Sequence, residues 1–434
     1  MSNYVIKGNQ KLNGTLVTNT SKNAAVALLN AALLNKGKTV LKNVPRIEEV
    51  HRILEVLQSI GVSVNWHGGK DIIIKPPKKL NLGNINYRSA IKTRSILFLL
   101  GVAIHWQKSF KVPQPGGCRL GARTVKPHLY ALENFGVKIK TLKKHYHIFA
   151  NNLRPAKNLV LYESGDTVTE NAIMAAAKIP GKTVIKFASA NYQVQDLCYF
   201  LQKLGVKISG IGTTTLEIEG KKSINKNVTY YLTEDPIESM LFLAIAATTN
   251  SSLILKRCPI DFLELELLKL EKMGFKYKIL KHYKANNNKG NLVDIKTFKS
   301  SLVALEEKIE SRPYPGLNID NLLFFAPIAT QAKGTTFIFD WVYEQRAIYV
   351  TELNKLGAKV SLADPHRVFI TGPTRLKGNE IVCPPALRPS TIVLVAMLAA
   401  TGESILRNVY SIERGYEDLC GRLKKIGAAI EKID

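Results

Sequence analysis

One eight-residue pattern occurs six times along the chain and limits what the chain can fold into. Each copy reads as the last turn of an amphipathic helix, then a glycine, then an alternating strand. The copies are Leu57–Val64, Leu132–Ile139, Leu201–Ile208, Leu270–Tyr277, Leu353–Val360 and Leu423–Ile430. Successive glycines are 75, 69, 69, 83 and 70 residues apart. Self-similarity at a nearly constant period indicates repeated structural units, so we predict six of them.

A second helix, rich in alanine and leucine on all sides, precedes a further strand in five of these units. Apolar residues all round a helix predict burial on several faces. The predicted helices are Asn23–Leu34, Glu170–Ala177, Pro236–Thr249, Leu322–Ala332 and Pro389–Thr401. We therefore predict an α/β (α+β) fold of two similar domains. Each would contain three helix–strand–helix–strand repeats, with buried helices and outer sheets.

The midpoint of the repeat series predicts the domain boundaries. It falls near residues 225–234, just before Pro236 begins the next predicted helix. The first domain is predicted to span residues 22–231 and to carry the Cys118 loop. The second combines residues 1–21 with residues 232–434, and a strand over Tyr4–Leu16 is expected to pair with the C-terminal half. A cleft between two such domains is the expected ligand site.

The composition is that of a globular protein with a large basic excess. The 434 residues are 46% hydrophobic, include five cysteines and carry a net charge of +27. The cysteine spacing fits neither a metal site nor a disulfide framework, the first residues lack a signal-peptide core, and the longest apolar runs, such as Ile96–Ile104, are too short for a bilayer. We therefore expect a cytoplasmic protein. The charge suits nucleic acid or anionic small molecules, but no aromatic-interleaved RNA motif accompanies the lysine clusters, so nucleic acid is not the expected partner.

The segment Pro113–Arg123 has the composition of a catalytic loop. It holds two prolines, three glycines, one cysteine and two arginines, which favours turns over helix or strand. Glycine lets the backbone approach a ligand closely, and the arginines beside Cys118 are expected to lower the pKa of its thiol. We predict a mobile loop that closes over an anionic substrate.

Basic residues recur at predicted helix starts and strand–helix junctions, where anions bind. Lys22 and Asn23 begin the first buried helix, although an ordinary N-cap beside a solvated lysine is the simpler interpretation. Guanidinium groups recognise phosphate and carboxylate in a bidentate manner, and a surface salt bridge is the alternative for each arginine. The candidate arginines are Arg94, Arg123, Arg346, Arg388 and Arg414.

One carboxylate, Asp320, precedes the fourth of the predicted buried helices. An N-cap role is its simplest interpretation. A carboxylate at the mouth of a cleft is also suited to act as general base for a substrate hydroxyl. The residues alone leave both roles open.

Taken together, these segments resemble the enolpyruvyl transferases, from residue 3 to the C terminus. The motifs that carry the resemblance are Ser21–Ala25, Pro115–Arg123, Thr169–Asn171, Pro313–Asp320, Tyr343–Arg346, Leu387-Arg388 and Arg414–Glu417. The resemblance implies a two-domain inside-out α/β barrel. It implies transfer of the enolpyruvyl group of phosphoenolpyruvate to the 3′-hydroxyl of UDP-N-acetylglucosamine, with release of phosphate, as the first committed step towards peptidoglycan precursors. It implies no metal and no organic cofactor.

The resemblance also implies roles for the candidate residues. Cys118 would protonate the methylene carbon of phosphoenolpyruvate, and Asp320 would accept the proton of the acceptor hydroxyl. Phosphate and carboxylate would be clamped by Lys22, Arg123 and Arg414, with Arg388 facing the same pocket. The nucleotide sugar would be held by Asn23, Arg94, Asp320 and the backbone near Val342, and Arg346 is a further predicted contact. Additional predicted substrate contacts are Thr124, Val125, Lys126, Pro127, His128, Asp166, Thr167 and Glu238.

The departures from the family pattern lie on the nucleotide side of the predicted site. Lys126-Pro127 replaces Asp-Leu, Gly165-Asp166-Thr167 replaces a diphosphate-binding Ser-Val-Gly, Ala386 replaces Asp, and Pro236 replaces Arg. An aspartate beside a diphosphate would repel it unless the side chain points away. The pattern therefore supports the reaction class more strongly than the acceptor, and a divergent paralogue acting on a different nucleotide or sugar is the alternative. An RNA-binding enzyme and a binding-only paralogue are the alternatives from other classes.

Overall fold

The computed structural model describes residues 2–116 and 124–433. Cys118 and Arg123 lie outside the described residues. The described chain forms two compact units, one of residues 2–19 and 234–433, the other of residues 20–116 and 124–233. Both units mix helices with sheets, which confirms the predicted mixed class.

In the described part of the unit of residues 20–233, strands pair into three sheets, and each sheet contains an antiparallel hairpin. In spatial order the strands are Val228–Tyr231, Thr39–Lys42, Asp71–Lys75 and Ser63–His67; Ser109–Pro113, His145–Phe149 and Lys138–Thr141; and Lys207–Ser209, Thr215–Gly220, Gly181–Lys186 and Leu159–Val160. Val228–Tyr231 runs parallel to Thr39–Lys42 and so ties the end of this unit to its beginning.

The other unit, counted over its described residues, also has three sheets. Their strands in spatial order are Tyr277–Lys284, Asn291–Thr297, Ser252–Pro259 and Asn13–Val17; Ile309–Glu310, Gly334–Phe339, Arg367–Gly372 and Lys359–Leu362; and Glu380–Val382, Glu403–Arg407, Asn3–Lys7 and Ala429–Ile433. Asn13–Val17 runs parallel to Ser252–Pro259. Asn3–Lys7 is antiparallel to both of its neighbours, so that Tyr4 pairs with Leu406 on one side and with Lys432 on the other.

The prediction of one strand over Tyr4–Leu16 is wrong, because two strands in different sheets occupy this stretch, but the predicted pairing with the C-terminal half is confirmed for both strands. The chain turns at Gly8 and at Asn9, which has a positive φ of 57°. A side chain at Gly8 would place its Cβ 2.2 Å from the carbonyl oxygen of Ala400, so only glycine fits this close approach. The turn moves the chain from one sheet to the next.

Helices pack against the sheets within each unit, for example Pro236–Thr248 against Ser252–Pro259 and Asp166–Ala177 against Thr215–Gly220. The α-helices are Lys22–Ala31, Glu48–Ser59, Tyr87–Ala90, Phe98–Ala103, Lys126–Glu133, Asp166–Ala177, Tyr192–Leu204, Pro236–Thr248, Glu264–Lys272, Phe325–Ala329, Leu387–Ala399, Tyr410–Glu413 and Leu419–Lys424. The 3-10 segments are Ala32–Leu34, Leu82–Asn84, Arg94–Leu97, Ile260–Phe262, Leu322–Phe324 and the longer Ala347–Leu356. Every residue of Pro236–Thr248 is buried, and nearly every residue of Asp166–Ala177 and Leu387–Ala399, which confirms the predicted burial.

The predicted helix Leu322–Ala332 is shorter than expected. A 3-10 turn over Leu322–Phe324 comes first, and only Phe325–Ala329 is α-helical. Pro327 lies inside this segment and has no N–H to donate to the preceding turn, which explains the irregular start. The segment nevertheless remains fully buried, as the sequence predicted.

The six glycines of the repeated pattern share one backbone conformation. Their φ angles are 93° at Gly61, 84° at Gly136, 93° at Gly205, 85° at Gly274, 85° at Gly357 and 92° at Gly427. This is the left-handed conformation that glycine adopts after the last turn of a helix. The predicted helix-ending role of the pattern is therefore confirmed.

Candidate functional site

Lys22 is held in place by a carboxylate. It is the first residue of helix Lys22–Ala31, whose N-cap is Ser21, and the Ser21 hydroxyl accepts a hydrogen bond from the Ala24 N–H at 3.2 Å. Its Nζ lies 3.0 Å from Oε2 of Glu49, and the Lys22 side chain is only 17% exposed. The simpler interpretation of a solvated lysine is therefore wrong.

Glu49 also binds the turn that presents Arg94. Its Oε1 accepts hydrogen bonds from the hydroxyls of Thr93 and Ser95, each at 3.0 Å. Sequence reasoning missed Glu49. The sequence marks it only by its position in the first turn of helix Glu48–Ser59, where acidic residues are common. Lys22 and Arg94, predicted separately as substrate contacts, are thus linked through one buried carboxylate.

Asn23 is anchored to a buried tyrosine. The Asn23 amide and the Ser21 hydroxyl each donate a hydrogen bond to the Tyr192 hydroxyl oxygen at 3.2 Å. Tyr192 begins helix Tyr192–Leu204 and is almost fully buried. Tyr192 is a second residue that the sequence did not single out, since an aromatic residue at a helix start reads as ordinary core.

Arg94 lies beside the first described residue after the predicted catalytic loop. Its guanidinium donates to the carbonyl oxygen of Thr124 at 3.0 Å. The Thr124 hydroxyl in turn accepts from the N–H of Lys126, the first residue of helix Lys126–Glu133. Pro127 follows in the first turn, where its missing N–H costs no hydrogen bond. Val125 precedes this helix at its N-cap position, so the Lys126-Pro127 departure is compatible with a regular helix start.

His128 is buried, and both ring nitrogens have partners. Nδ1 lies 2.9 Å from the Asn171 amide nitrogen, and Nε2 lies 3.3 Å from the Thr167 hydroxyl. The backbone N–H of Gly101 donates to the Asn171 side-chain oxygen at 3.0 Å, so the Asn171 amide group points its N–H at the ring. Nδ1 therefore accepts, and a neutral ring carries its proton on Nε2. Two predicted contacts, His128 and Thr167, are thereby fixed against each other.

Asp166 directs its carboxylate into the protein. It begins helix Asp166–Ala177 and accepts from the Ser189 hydroxyl at 2.5 Å, the Asn191 amide at 3.1 Å and the Gln193 amide at 3.0 Å. These three donors hold both carboxylate oxygens. An aspartate beside a diphosphate would repel it unless its side chain points away. The Asp166 side chain is directed at these three protein donors.

In the other unit, Asp320 lies between two arginines. Oδ2 accepts from Arg388 at 3.2 Å, and Oδ1 is 3.9 Å from the Nη1 of Arg346. The residue at the N-cap position of the following turn is Asn321, with no side-chain capping bond. The N-cap interpretation of Asp320 is therefore wrong, and its carboxylate belongs to a charged cluster.

Arg346 is committed to a buried partner. Its Nε and Nη2 donate to the two oxygens of Asp340 at 2.5 Å and 2.8 Å, and the two side chains are 1% and 0% exposed. The guanidinium carbon also lies 4.4 Å from the centre of the Tyr343 ring. Only Nη1 lacks a hydrogen-bond partner among the described residues, and it faces Asp320. This geometry suits Arg346 to orient the Asp320 carboxylate better than to bind a substrate directly. Direct substrate binding by Arg346 stays a prediction.

Arg388 connects Asp320 to the Arg414 turn. It lies in the first turn of helix Leu387–Ala399, and its Nη1 donates to the Tyr416 hydroxyl at 2.5 Å. Arg414 is half-buried and ends the short helix Tyr410–Glu413 two residues earlier. Ala386, at the N-cap position of Leu387–Ala399, supplies no side-chain cap. Burial raises the pKa of the Tyr416 hydroxyl well above its ordinary value, although Arg388 opposes the shift.

Glu238 is engaged by Arg422 rather than exposed for a ligand. Its two oxygens accept from Arg422 at 2.6 Å and 3.1 Å, and the Asn19 N–H donates to it at 2.6 Å. Pro236 begins the same helix, capped by the Asp235 side chain. Val342, by contrast, is exposed in the loop after strand Gly334–Phe339. Arg422 is a third residue that sequence reasoning missed, since nothing local marks it among the basic residues.

The described residues thus form separate clusters within each unit. One unit has Lys22, Glu49 and Arg94 in one cluster and His128, Thr167 and Asn171 in another. The other unit has Asp320 with Arg346 and Arg388. Cations beside oriented carboxylates can bind an anionic substrate and move a hydroxyl proton. No group of three or more His, Cys, Asp or Glu side chains suited to a metal occurs in residues 2–116 and 124–433, and no helix there is long and apolar enough to cross a membrane.

The family model of EPSP synthase (3-phosphoshikimate 1-carboxyvinyltransferase) matches residues 6–423. Two curated proteins named UDP-N-acetylglucosamine 1-carboxyvinyltransferase match along their whole length. The protein from Treponema denticola is 34% identical over 433 residues, covering 99% of this chain and 99% of the relative. The protein from Borreliella burgdorferi is 33% identical over 435 residues, covering 100% of this chain and 99% of the relative.

Solved structures show the same fold. The enolpyruvyl transferase NikO from Streptomyces tendae matches with a TM-score of 0.84 at 22% identity, covering 100% of this chain and 99% of that chain. EPSP synthase from Acinetobacter baumannii matches with a TM-score of 0.77 at 17% identity, covering 100% of both chains. At 22% and 17% identity, these two structures support the fold alone. The curated relatives and the family model show the family. The chain belongs to the EPSP synthase (3-phosphoshikimate 1-carboxyvinyltransferase) family, in the group of the UDP-N-acetylglucosamine 1-carboxyvinyltransferases.

Proposed function

We propose that this protein transfers the enolpyruvyl group of phosphoenolpyruvate to the 3′-hydroxyl of UDP-N-acetylglucosamine and releases phosphate. The observation that carries this conclusion is the match, over the whole chain, to curated proteins named for that activity. The reaction supplies the first committed precursor of peptidoglycan. The Lys22 and Asp320 clusters support the proposal, because the reaction needs a cation for an anionic donor and a base for a hydroxyl.

On the donor side, phosphoenolpyruvate brings a phosphate and a carboxylate to be neutralised. Lys22, Arg123, Arg388 and Arg414 hold these groups in our proposal. The charges of Lys22 and Arg388 are held by Glu49 and by Asp320 and Tyr416 before the donor binds, so they can neutralise its anionic groups without further rearrangement. The contact of Lys22 with Glu49 supports this role, because it fixes the ammonium group at the start of a helix.

The chemical step needs one base and one acid. Asp320 takes the proton of the acceptor hydroxyl, whose oxygen bonds to the central carbon of phosphoenolpyruvate, while the Cys118 thiol gives a proton to the methylene carbon. Loss of phosphate and of a proton from the resulting methyl group then restores the double bond. Arg346 and Arg388 hold the Asp320 carboxylate on either side, which supports its assignment as an oriented base.

We propose the finer architecture as well, namely an inside-out α/β barrel of six repeats in two domains. Its domains would comprise residues 22–231 and residues 1–21 with 232–434, and the active site would occupy the cleft between them. Six helix-ending glycines with the same backbone conformation support a common repeat. Buried free thiols at Cys198, Cys258, Cys383 and Cys420 suit the cytoplasm, where we place the enzyme.

A second acceptor is the alternative that Lys126-Pro127 favours, because these residues change charge and backbone where the family reads the nucleotide. Phosphate release from phosphoenolpyruvate, measured against a panel of nucleotide sugars, decides between them. Turnover with UDP-N-acetylglucosamine supports the main proposal. Turnover with another acceptor alone would show that the protein carries out the same reaction on that substrate instead. No turnover with any acceptor would reject the reaction class.

The assignment of Cys118 has its own test. Cys118→Ser should lose most transfer activity and become resistant to inactivation by alkylation, whereas Cys118→Asp should keep activity because a carboxylic acid can also donate the proton. Cys420→Ser is the matched control, because it removes a thiol far along the chain that the mechanism does not use. A Cys118→Ser enzyme as active as the parent would reject the assignment.

Nucleic acid is not a partner in this proposal, despite the net charge of +27. Phosphate contacts to RNA or DNA make binding fall steeply with salt. A titration with single-stranded RNA at moderate salt should therefore show no specific binding. Salt-sensitive, saturable binding would instead favour the RNA-binding alternative.

A further inference from the structure

We propose that Glu49 is a positioning residue, which fixes the Lys22 ammonium group and ties it to the turn that carries Arg94. The inference rests on the proposed function only in taking Lys22 and Arg94 as substrate contacts. It assigns no chemistry to Glu49 itself. The carboxylate acts through its two neighbours, one on the donor side and one on the acceptor side.

The first observation is that the Glu49 carboxylate is nearly buried and fully engaged. Its side chain is 8% exposed, and its partners are the Lys22 ammonium at 3.0 Å and the hydroxyls of Thr93 and Ser95 at 3.0 Å each. A buried carboxylate is costly unless it is paired and hydrogen-bonded. Here one oxygen takes the cation and the other takes two hydroxyls, so each contact supports the others.

A comparison with the adjacent Glu48 shows that this arrangement is specific. Glu48 accepts from Arg52 at 2.8 Å within the same helix, and both side chains are more than a quarter exposed. Such an i,i+4 pair stabilises the helix surface by a few tenths of a kcal/mol and organises nothing beyond it. Glu49 instead connects three elements that are distant in sequence.

The contact with Lys22 prepares a flexible side chain for binding. A free lysine loses much rotamer freedom when it is immobilised, and that loss weakens affinity. Glu49 holds the ammonium at the N-terminal end of helix Lys22–Ala31 before any substrate arrives. The Lys22 side chain therefore loses its rotamer freedom when the protein folds and not when the substrate binds. The affinity for an anion is higher because binding no longer includes this entropic cost.

The contact with Thr93 and Ser95 transmits the same constraint to Arg94. Thr93 is the N-cap of the turn Arg94–Leu97, and its hydroxyl also accepts the N–H of Ser95 at 3.1 Å. Both residues that flank Arg94 therefore donate to one oxygen of Glu49. A change at Glu49 should shift the turn and alter recognition of both substrates.

The test compares Glu49→Gln, Glu49→Asp and the matched control Glu48→Gln. Glu49→Gln keeps the size of the side chain but turns a donor or a neutral oxygen towards Lys22. We expect the KM for phosphoenolpyruvate to rise about tenfold with a much smaller change in kcat, partial recovery in Glu49→Asp, and parental values in Glu48→Gln. An unchanged KM for phosphoenolpyruvate in a folded Glu49→Gln enzyme would overturn the proposal.

A second readout does not depend on turnover. The rate of Lys22 modification by an amine reagent, mapped by mass spectrometry, should rise severalfold in Glu49→Gln and stay unchanged in Glu48→Gln, because the contact with Glu49 holds the Lys22 side chain in a position where only 17% of it is exposed to reagent. If the parent protein turned over no acceptor, the proposed function would fail while this measurement still tested the positioning role. Equal modification rates in the parent and in Glu49→Gln would reject that role.

Discussion

Breaking the buried ion pair of Arg346 and Asp340 should cost far more stability than breaking an exposed pair nearby. The pair has two hydrogen bonds of 2.5 Å and 2.8 Å, and both side chains are essentially inaccessible to solvent. Unit charges about 4 Å apart attract by about 4 kcal/mol at an effective dielectric constant of about 20. Removing one partner also leaves the other charge buried, so Arg346→Met or Asp340→Asn should destabilise by about 3–5 kcal/mol.

The measurement is a double-mutant cycle in urea, with unfolding followed by tryptophan fluorescence and far-ultraviolet circular dichroism. The double variant should lose much less than the sum of the two single variants, with a coupling of at least about 2 kcal/mol. The control is Arg367→Met, which breaks an ion pair with Asp364 whose side chains are 55% and 31% exposed and should cost less than about 1 kcal/mol. If Arg346→Met cost no more than Arg367→Met, the inference that Arg346 is structurally committed would be refuted.

Two further predictions concern Asp235 and Gly101. Burial raises the pKa of Asp235 to about 6, although Arg388 acts in the opposite direction, so the folded protein holds this proton between about pH 4 and 6 where the unfolded chain releases it. Stability should therefore decline as pH rises through that window, and Asp235→Asn should reduce the decline in melting temperature against pH; an unchanged slope would contradict the shift. A side chain at Gly101 would place its Cβ 2.5 Å from the Asn171 carbonyl oxygen, so Gly101→Ala should cost about 1–3 kcal/mol of unfolding free energy in thermal denaturation. Gly83→Ala, whose nearest atom would be 3.5 Å away, is the control, and equal losses in both variants would contradict the steric argument.

Local signals predicted much of the fold. The helix-ending glycines and the all-round apolar helices are read from a few neighbouring residues, and both predictions are confirmed. The predicted strand Tyr4–Leu16 failed because a single close approach, at Gly8 to Ala400, depends on a segment almost 400 residues away. The helix predicted over Leu322–Ala332 is present but shorter and begins as a 3-10 turn, a local effect of Pro327.

The candidate site was predictable where residue type alone indicates chemistry, and less so where partners decide it. Lys22, Arg94 and Asp320 stood out as charges at helix starts and junctions. Sequence spacing does not show that Glu49 joins the first two, because its partners lie on two other elements that are distant in sequence. Nor does it show that Asp340 occupies Arg346, or that the start of helix Tyr192–Leu204 and the residues before it donate three hydrogen bonds to Asp166. The predictions for Cys118 and Arg123 stay predictions, since those residues lie outside the described part of the chain.

The position of strand Asn3–Lys7 has a consequence for how the chain folds as it is made. This strand is synthesised well before its two neighbours, Glu403–Arg407 and Ala429–Ile433, which lie almost 400 residues further along the chain. Until then both edges of the strand are unpaired, and unpaired edges invite association with other chains. The unit of residues 20–233, by contrast, can close its sheet once Val228–Tyr231 pairs with Thr39–Lys42. We therefore expect synthesis to deliver one finished unit early, while the other waits on contacts of very long sequence separation, which form slowly.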